Sequence, residues 1–138
     1  MKEYKFDNCE IGISETFSVE ISETMMKSFS IISGDRNPMH MDEEYAKEHG
    51  FDGKLVYGLL TASFYSQLVG MYLPGKYCIL KSIEIFFDRP VYEGDILTII
   101  GRIREKDERF QQVTVKGLIK NQHGKTISKA NILVGFYE

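Results

Sequence analysis

Cysteine, proline and surplus positive charge are all scarce in this sequence: two cysteines, three prolines, and 17 Lys+Arg against 20 Asp+Glu, a net charge of −3. Cys9 and Cys78 stand far apart and outside any CxxC pair. That excludes a disulfide framework and a four-cysteine zinc site, and it points to a reducing compartment, the cytoplasm. Without a basic excess, no surface is expected that would neutralise a nucleic-acid backbone. No glycine-rich phosphate loop occurs. The opening residues, MKEYKFDNCE, lack the apolar stretch of a signal peptide, and none is expected. Charge is also missing from the 21 residues between Lys54 and Lys76, a run long enough in principle to span a bilayer. Thr61, Ser63, Ser66 and Gln67 interrupt it, and Pro74-Gly75 closes it like a loop. It reads as a helix buried inside a fold, with no membrane partner.

What remains is an ordinary domain composition. The 138 residues include 43% apolar and 27% charged side chains. A chain of 15.9 kDa buries roughly 68% of its unfolded surface, enough for a core without staples. No repeat and no low-complexity tract appears, so residues 1–138 read as one domain.

Helical signals fill the first half. Residues 16–21 (TFSVEI) alternate like a short strand, and Ser22 is then placed to cap a helix carrying Met25, Met26, Phe29 and Ile32. Gly34 and Pro38 break that pattern and predict a loop over residues 33–40. Asp42 caps a short helix that stops at Gly50, with His49 near its C-terminal dipole. The uncharged helix follows over about residues 57–72. The second half reads as strands over 77–88, 96–105, 110–120 and 126–137, separated by turns at 93–95 and 121–124. Helices followed by consecutive strands predict an α+β fold, an antiparallel meander laid on the buried helix.

Residues 33–40, SGDRNPMH, carry the chemistry. Asp35 and His40 lie five apart in irregular backbone, where both side chains can turn to one point. A carboxylate beside an imidazole is an acid–base pair working near neutral pH. The same residues also admit a plain reading, in which Asp35 caps backbone amides and His40 is partly buried. A metal site built from His40, Asp42, Glu43 and His49 suits this loop less well, and no metal is expected.

SGDRNPMH resembles the D-x-N-P-[LIV]-H signature of the MaoC-like dehydratases, the family of the (R)-specific enoyl-CoA hydratases, with Met39 at the variable apolar position. GFDGKLVYGLLTASFYSQLVG is similar to that family's second block, and FFDRPVYEGD to its strand-end phrase. The likeness covers nearly the whole chain in the same order. It implies a single hot-dog domain, an antiparallel sheet wrapped around a long central helix. It also implies Asp35 and His40 as the catalytic pair, Asn37 as a support of the loop, Gly58 as an oxyanion-hole N–H donor, and Ser66 near the site. Tyr57 stands where the family usually has His or Gln, which puts pocket shape and acyl preference in question.

The activity implied is reversible hydration of trans-2-enoyl thioesters to (R)-3-hydroxyacyl thioesters. Coenzyme A or an acyl carrier protein would be part of the substrate, and no separate cofactor is needed. A hot-dog thioesterase and a non-catalytic acyl-CoA-binding module are the alternatives. Tyr57, Phe64, Tyr65 and Tyr72 either shorten the acyl pocket or pack as core. Long strands rich in Ile, Val and Phe, with Pro90 the only strand-region proline, predict an edge paired with its own copy: a homodimer or higher even oligomer.

Overall fold

Apolar residues alternate along four of the five strands, and this places one face of an antiparallel sheet against a central helix. The computed structural model describes residues 1–138. Strand β1 (Ser14–Glu20) leads into helix α1 (Glu23–Ser33), then α2 (Pro38–Met41), α3 (Glu43–Glu48) and α4 (Gly58–Gln67). Helix α4 continues as one π-helical turn over Leu68–Tyr72. Strands β2 (Cys78–Phe87), β3 (Ile96–Asp107), β4 (Gln112–Lys120) and β5 (Thr126–Phe136) follow. The local signals behave as their chemistry dictates. Ser22 Oγ accepts the Met25 N–H at 3.2 Å, Asp42 Oδ1 accepts the Tyr45 N–H at 3.1 Å, and Gly34 closes α1 at φ 73°.

Two expectations are corrected. Residues 33–40 are not loop throughout, because Asn37 caps a short helix through its side chain and Pro38 fills the first helical position with a φ already suited to it. Nor do the late strands form one meander. β3, β4 and β5 are neighbours, but β2 lies beyond β5, giving the order β1-β3-β4-β5-β2. Pro90 stops β2, and the connection 88–95 crosses the end of the sheet, tied by the Val56 N–H to the Val91 carbonyl at 2.8 Å.

Three residues in register make the close fit of helix to sheet possible. Gly101 on β3 pairs with Gly117 on β4, which pairs with Ala130 on β5. Over this trough lie Leu68 and the ring of Tyr65; a Cβ on Gly101 would stand 2.8 Å from both Leu68 methyls, and one on Gly117 would stand 2.5 Å from Tyr65 Cε1. The Tyr65 hydroxyl shares a 2.8 Å hydrogen bond with Ser128 Oγ, so even the polar end of the ring is satisfied in the core. Around the trough, Leu97, Ile99, Ile103, Val113, Val115, Ile119, Ile132 and Val134 are fully buried. No helix is long and apolar enough to cross a membrane. The sheet and its central helix form the expected hot-dog unit.

Candidate active site

The segment between α1 and α4 lies over the N-terminus of α4 and brings the two halves of the expected pair together. Ser33 Oγ donates to the Phe29 carbonyl at 2.7 Å and accepts the Asp35 N–H at 3.1 Å, turning the chain sharply out of α1. Asp35 Oδ1 then accepts the Asn37 N–H at 3.0 Å, and Asn37 Oδ1 accepts the Met39 N–H at 3.0 Å. One carboxylate oxygen of Asp35 is thus held by backbone, and the other, Oδ2, faces His40 Nε2 at 3.8 Å.

His40 is fixed from its other side. Its Nδ1 lies 2.8 Å from the Leu55 carbonyl oxygen, which can only accept, so Nδ1 carries the hydrogen. In the neutral ring the lone pair is therefore on Nε2, the atom aimed at Asp35. Tyr57 completes the frame. Its ring stacks on His40 with centroids 4.1 Å apart and tilts against Phe29 at 4.9 Å, while its hydroxyl donates to the Asp35 carbonyl at 2.8 Å. One buried side chain thus touches both members of the pair. The pair differs in exposure: the His40 side chain keeps 18% of its surface in solvent and Asp35 47%.

Gly58 opens α4 beside them. Leu60 and Thr61 both donate to the Tyr57 carbonyl, and the N–H groups of Gly58 and Leu59 have no carbonyl one turn back in the helix. Asp35, His40, Tyr57 and Gly58 line one cavity of about 360 Å³, closed by Phe29, Leu59 and Phe87. A Cβ on Gly58 would stand 3.2 Å from the Phe87 ring, so the absent side chain keeps the helix end open to the cavity. A second cavity of about 380 Å³ shares His40, Gly58 and Phe87 and runs on toward Arg89 and Ile127.

The other sequence candidates fall elsewhere. Ser66 is exposed, eight residues and about 12 Å along α4 from Gly58, and lines neither cavity. Of the aromatic residues weighed for the acyl pocket, only Tyr57 reaches it. Phe64 and Tyr65 are core, and Tyr72 stacks on Phe17 at 4.7 Å. His49 is turned back on its own helix, with Nδ1 2.8 Å from the Tyr45 carbonyl oxygen. The Leu55 carbonyl and Phe87 were not foreseen as site groups, and Phe29, expected to pack as core rather than line an acyl pocket, borders the cavity. A backbone acceptor leaves no trace in residue type, and Phe29 and Phe87 look like any core phenylalanine until the strand order is known.

Residues 10–124 match the family model described as MaoC like domain. The 3-hydroxybutyryl-CoA dehydratase of Methylorubrum extorquens is 35% identical over 100 residues, covering 72% of this chain and 64% of that protein. The (R)-specific enoyl-CoA hydratase of Aeromonas caviae is 35% identical over 89 residues, 64% of this chain and 66% of its own. Both matches thus span slightly less than two thirds of the relative's length. Among solved structures, the unliganded R-hydratase PhaJ1 of Pseudomonas aeruginosa superposes with a TM-score of 0.91 at 28% identity, covering 97% of this chain and 86% of its own. The (R)-hydratase of Aeromonas caviae gives 0.88 at 29%, covering 92% and 96%. With most of its length matched by the family model and its fold shared with these hydratases, the chain belongs to the MaoC-like domain family.

Proposed function

We propose that the protein is a hydro-lyase that adds water to trans-2-enoyl thioesters, or removes it from (R)-3-hydroxyacyl thioesters. The observation that carries this reading is the facing of Asp35 Oδ2 and His40 Nε2 beside the free N-terminus of α4 in one cavity. The names of the relatives, a dehydratase and hydratases acting on acyl-CoA, support it. A water about 2.8 Å from both atoms spans their 3.8 Å separation with an angle near 85°. Asp35 accepts one hydrogen of that water and orients it. Nε2 takes the other proton as oxygen bonds to the β-carbon, and the C=C electrons move toward the thioester carbonyl. The Gly58 N–H, helped by the positive helix end, stabilises the oxygen that becomes enolate-like. The pair then returns a proton to the α-carbon. H and OH have been added across the double bond, and Asp35 and His40 are as they began. Tyr57 holds both in register, and Asn37 holds the turn between them.

The carrier in this reading is coenzyme A or an acyl carrier protein, and the working unit is a homodimer. β2 supports the second point. Leu80, Ile83 and Phe87 are paired with the buried Val134, Ile132 and Ser128 and so lie on the core face, yet they remain 47%, 38% and 50% exposed. A second copy pairing along β2 covers that face and walls the cavity that Phe87 lines. Light scattering is expected to give about twice 15.9 kDa, or a higher even multiple. Cys9 and Cys78 are free thiols, as suits a reducing cytoplasm.

Incubation with crotonyl-CoA tests the reaction. Loss of enoyl absorbance without thiol release, giving the (R)-3-hydroxy product, is expected. Release of free thiol would mean a thioesterase, and tight binding without turnover an acyl-binding module.

A further inference from the structure

Thr61 is a buried polar side chain in the wall of the second cavity, beside His40, Gly58 and Phe87. Its hydroxyl donates to the Gly58 carbonyl at 2.6 Å, while its backbone N–H donates to the Tyr57 carbonyl at 3.2 Å. These two carbonyls belong to consecutive peptide units. The first unit joins Tyr57 to Gly58 and carries the Gly58 N–H. The second joins Gly58 to Leu59 and carries the Leu59 N–H. Both are N–H groups that the helix leaves free at its end. One residue thus holds both peptide planes that flank Gly58. That glycine is kept bare by Phe87, whose ring would stand 3.2 Å from a Cβ there. A residue without a Cβ has the least steric restraint on its own dihedrals, and the first helical turn has the fewest bonds to supply it. Ser63 gives the contrast within α4. Its hydroxyl donates to the Leu60 carbonyl at 2.6 Å, but the N–H of that peptide is the one Thr61 already gives to Tyr57, and Ser63 is exposed. The same bond there fixes a peptide with nothing to offer a ligand.

We infer that Thr61 is a positioning residue of the active site: its hydroxyl and its N–H pin the two peptides of Gly58, so that the Gly58 and Leu59 N–H groups keep the direction in which they meet the thioester oxygen. The inference rests on the hydro-lyase reading and deepens it, adding to Asp35 and His40 a residue that acts through Gly58 and not on the substrate. Charge gathers on the thioester oxygen as the β-carbon is attacked, so a donor fixed beforehand favours the transition state over the bound substrate. The hydroxyl also polarises the peptide between Gly58 and Leu59, which makes the Leu59 N–H a stronger donor. Loss of the hydroxyl therefore belongs in kcat and not in KM.

The test uses the full chain and crotonyl-CoA. Thr61→Val exchanges the hydroxyl for a methyl of the same shape, and Thr61→Ala removes it with less bulk. Thr61→Ser restores the hydroxyl, and Ser63→Ala removes the contrasting bond. Circular dichroism and thermal unfolding confirm that each variant is folded. The two variants without the hydroxyl should lose about tenfold in kcat, less than the ~10²–10³ of deleting a donor outright, with KM within twofold. Thr61→Ser should recover most of that loss, and Ser63→Ala should stay within twofold of wild type. Undiminished kcat in Thr61→Val and Thr61→Ala, a rise in KM alone, or an equal loss in Ser63→Ala would overturn the inference. Nitrogen-15 relaxation of the Gly58 and Leu59 amides reads the same hold without substrate. Their order parameters should fall in Thr61→Val and Thr61→Ala and keep wild-type values in Thr61→Ser and Ser63→Ala. Should the wild type hydrate no crotonyl-CoA, the hydro-lyase reading fails; lowered order parameters then still uphold the hold on Gly58, and unchanged ones overturn it.

Discussion

Replacing Gly117 by alanine probes how the central helix is held, and with it the position of the Gly58 N–H. The new Cβ would stand 2.5 Å from Tyr65 Cε1, 2.8 Å from Cδ1 and 3.4 Å from the Ala130 Cβ. Carbon atoms rest near 3.5–4.0 Å, so the ring must retreat by about 1 Å. It cannot swing aside freely, because its hydroxyl is tied to Ser128 and both residues are buried. Overpacking of this kind costs about 1–3 kcal/mol. Gly117 has no positive φ, so the alanine also narrows the unfolded ensemble and returns about 0.5–1 kcal/mol. The net is a loss of about 1–2 kcal/mol, a fall in Tm of roughly 3–7 °C. Gly101→Ala is the internal comparison. Its Cβ would stand 2.8 Å from both Leu68 methyls and 3.1 Å from Leu68 Cγ, and Leu68 is fully buried, so a loss of the same order, about 1–2 kcal/mol, is expected. Adding Tyr65→Phe to Gly117→Ala releases the tether, so the double variant should be more stable than the two single losses summed. Thermal and urea unfolding measure all of these. A Gly117→Ala or Gly101→Ala protein as stable as wild type would refute the packing described.

Two further outcomes follow from the same contacts. Tyr57→Phe keeps the stack on His40 but loses the 2.8 Å bond to the Asp35 carbonyl, so kcat should fall about tenfold with KM little changed, and steady-state kinetics on crotonyl-CoA would show it. Burial, partly offset by the bond to Ser128, pushes the Tyr65 phenol up to about 12 from 10.0. The folded protein therefore keeps that proton more tightly than the unfolded chain. Stability should hold below pH 10 and decline between about pH 10 and 12, by up to ~1.4 kcal/mol per pH unit, in urea titrations.

Much of this molecule was legible in the residue pattern. Strand alternation, the Ser22 and Asp42 caps and the uncharged run placed nearly every element within two residues, because each depends on neighbours in sequence. The position of β2 was not, since a strand rich in Ile and Phe fits beside β3 or β5 equally well and only the crossing of residues 88–95 decides it. The facing of Asp35 and His40 followed from their spacing and from the family resemblance, and the Ser33, Asp35 and Asn37 turns show how local hydrogen bonds enforce it. What fixes the His40 tautomer, the Leu55 carbonyl, is a backbone atom fifteen residues away that residue identity does not betray. Tyr57 was visible as a departure from the family, but its double contact with His40 and Asp35 needed coordinates.

Whether Asp35 and His40 act together on one water is tested most directly by crotonyl-CoA hydration in Asp35→Asn, His40→Ala and the double variant, each confirmed folded by circular dichroism. Asp35→Asn keeps the oxygen that accepts the Asn37 N–H and puts an amide donor where Oδ2 faces Nε2, so the turn survives while the acceptor for water is lost. Each single variant should lower kcat by ~10²–10⁴, and the double variant should be scarcely worse than the poorer single one, as for groups that work as a unit. Hydration within a few-fold of wild type in both single variants, or losses that simply multiply in the double, would contradict a shared water.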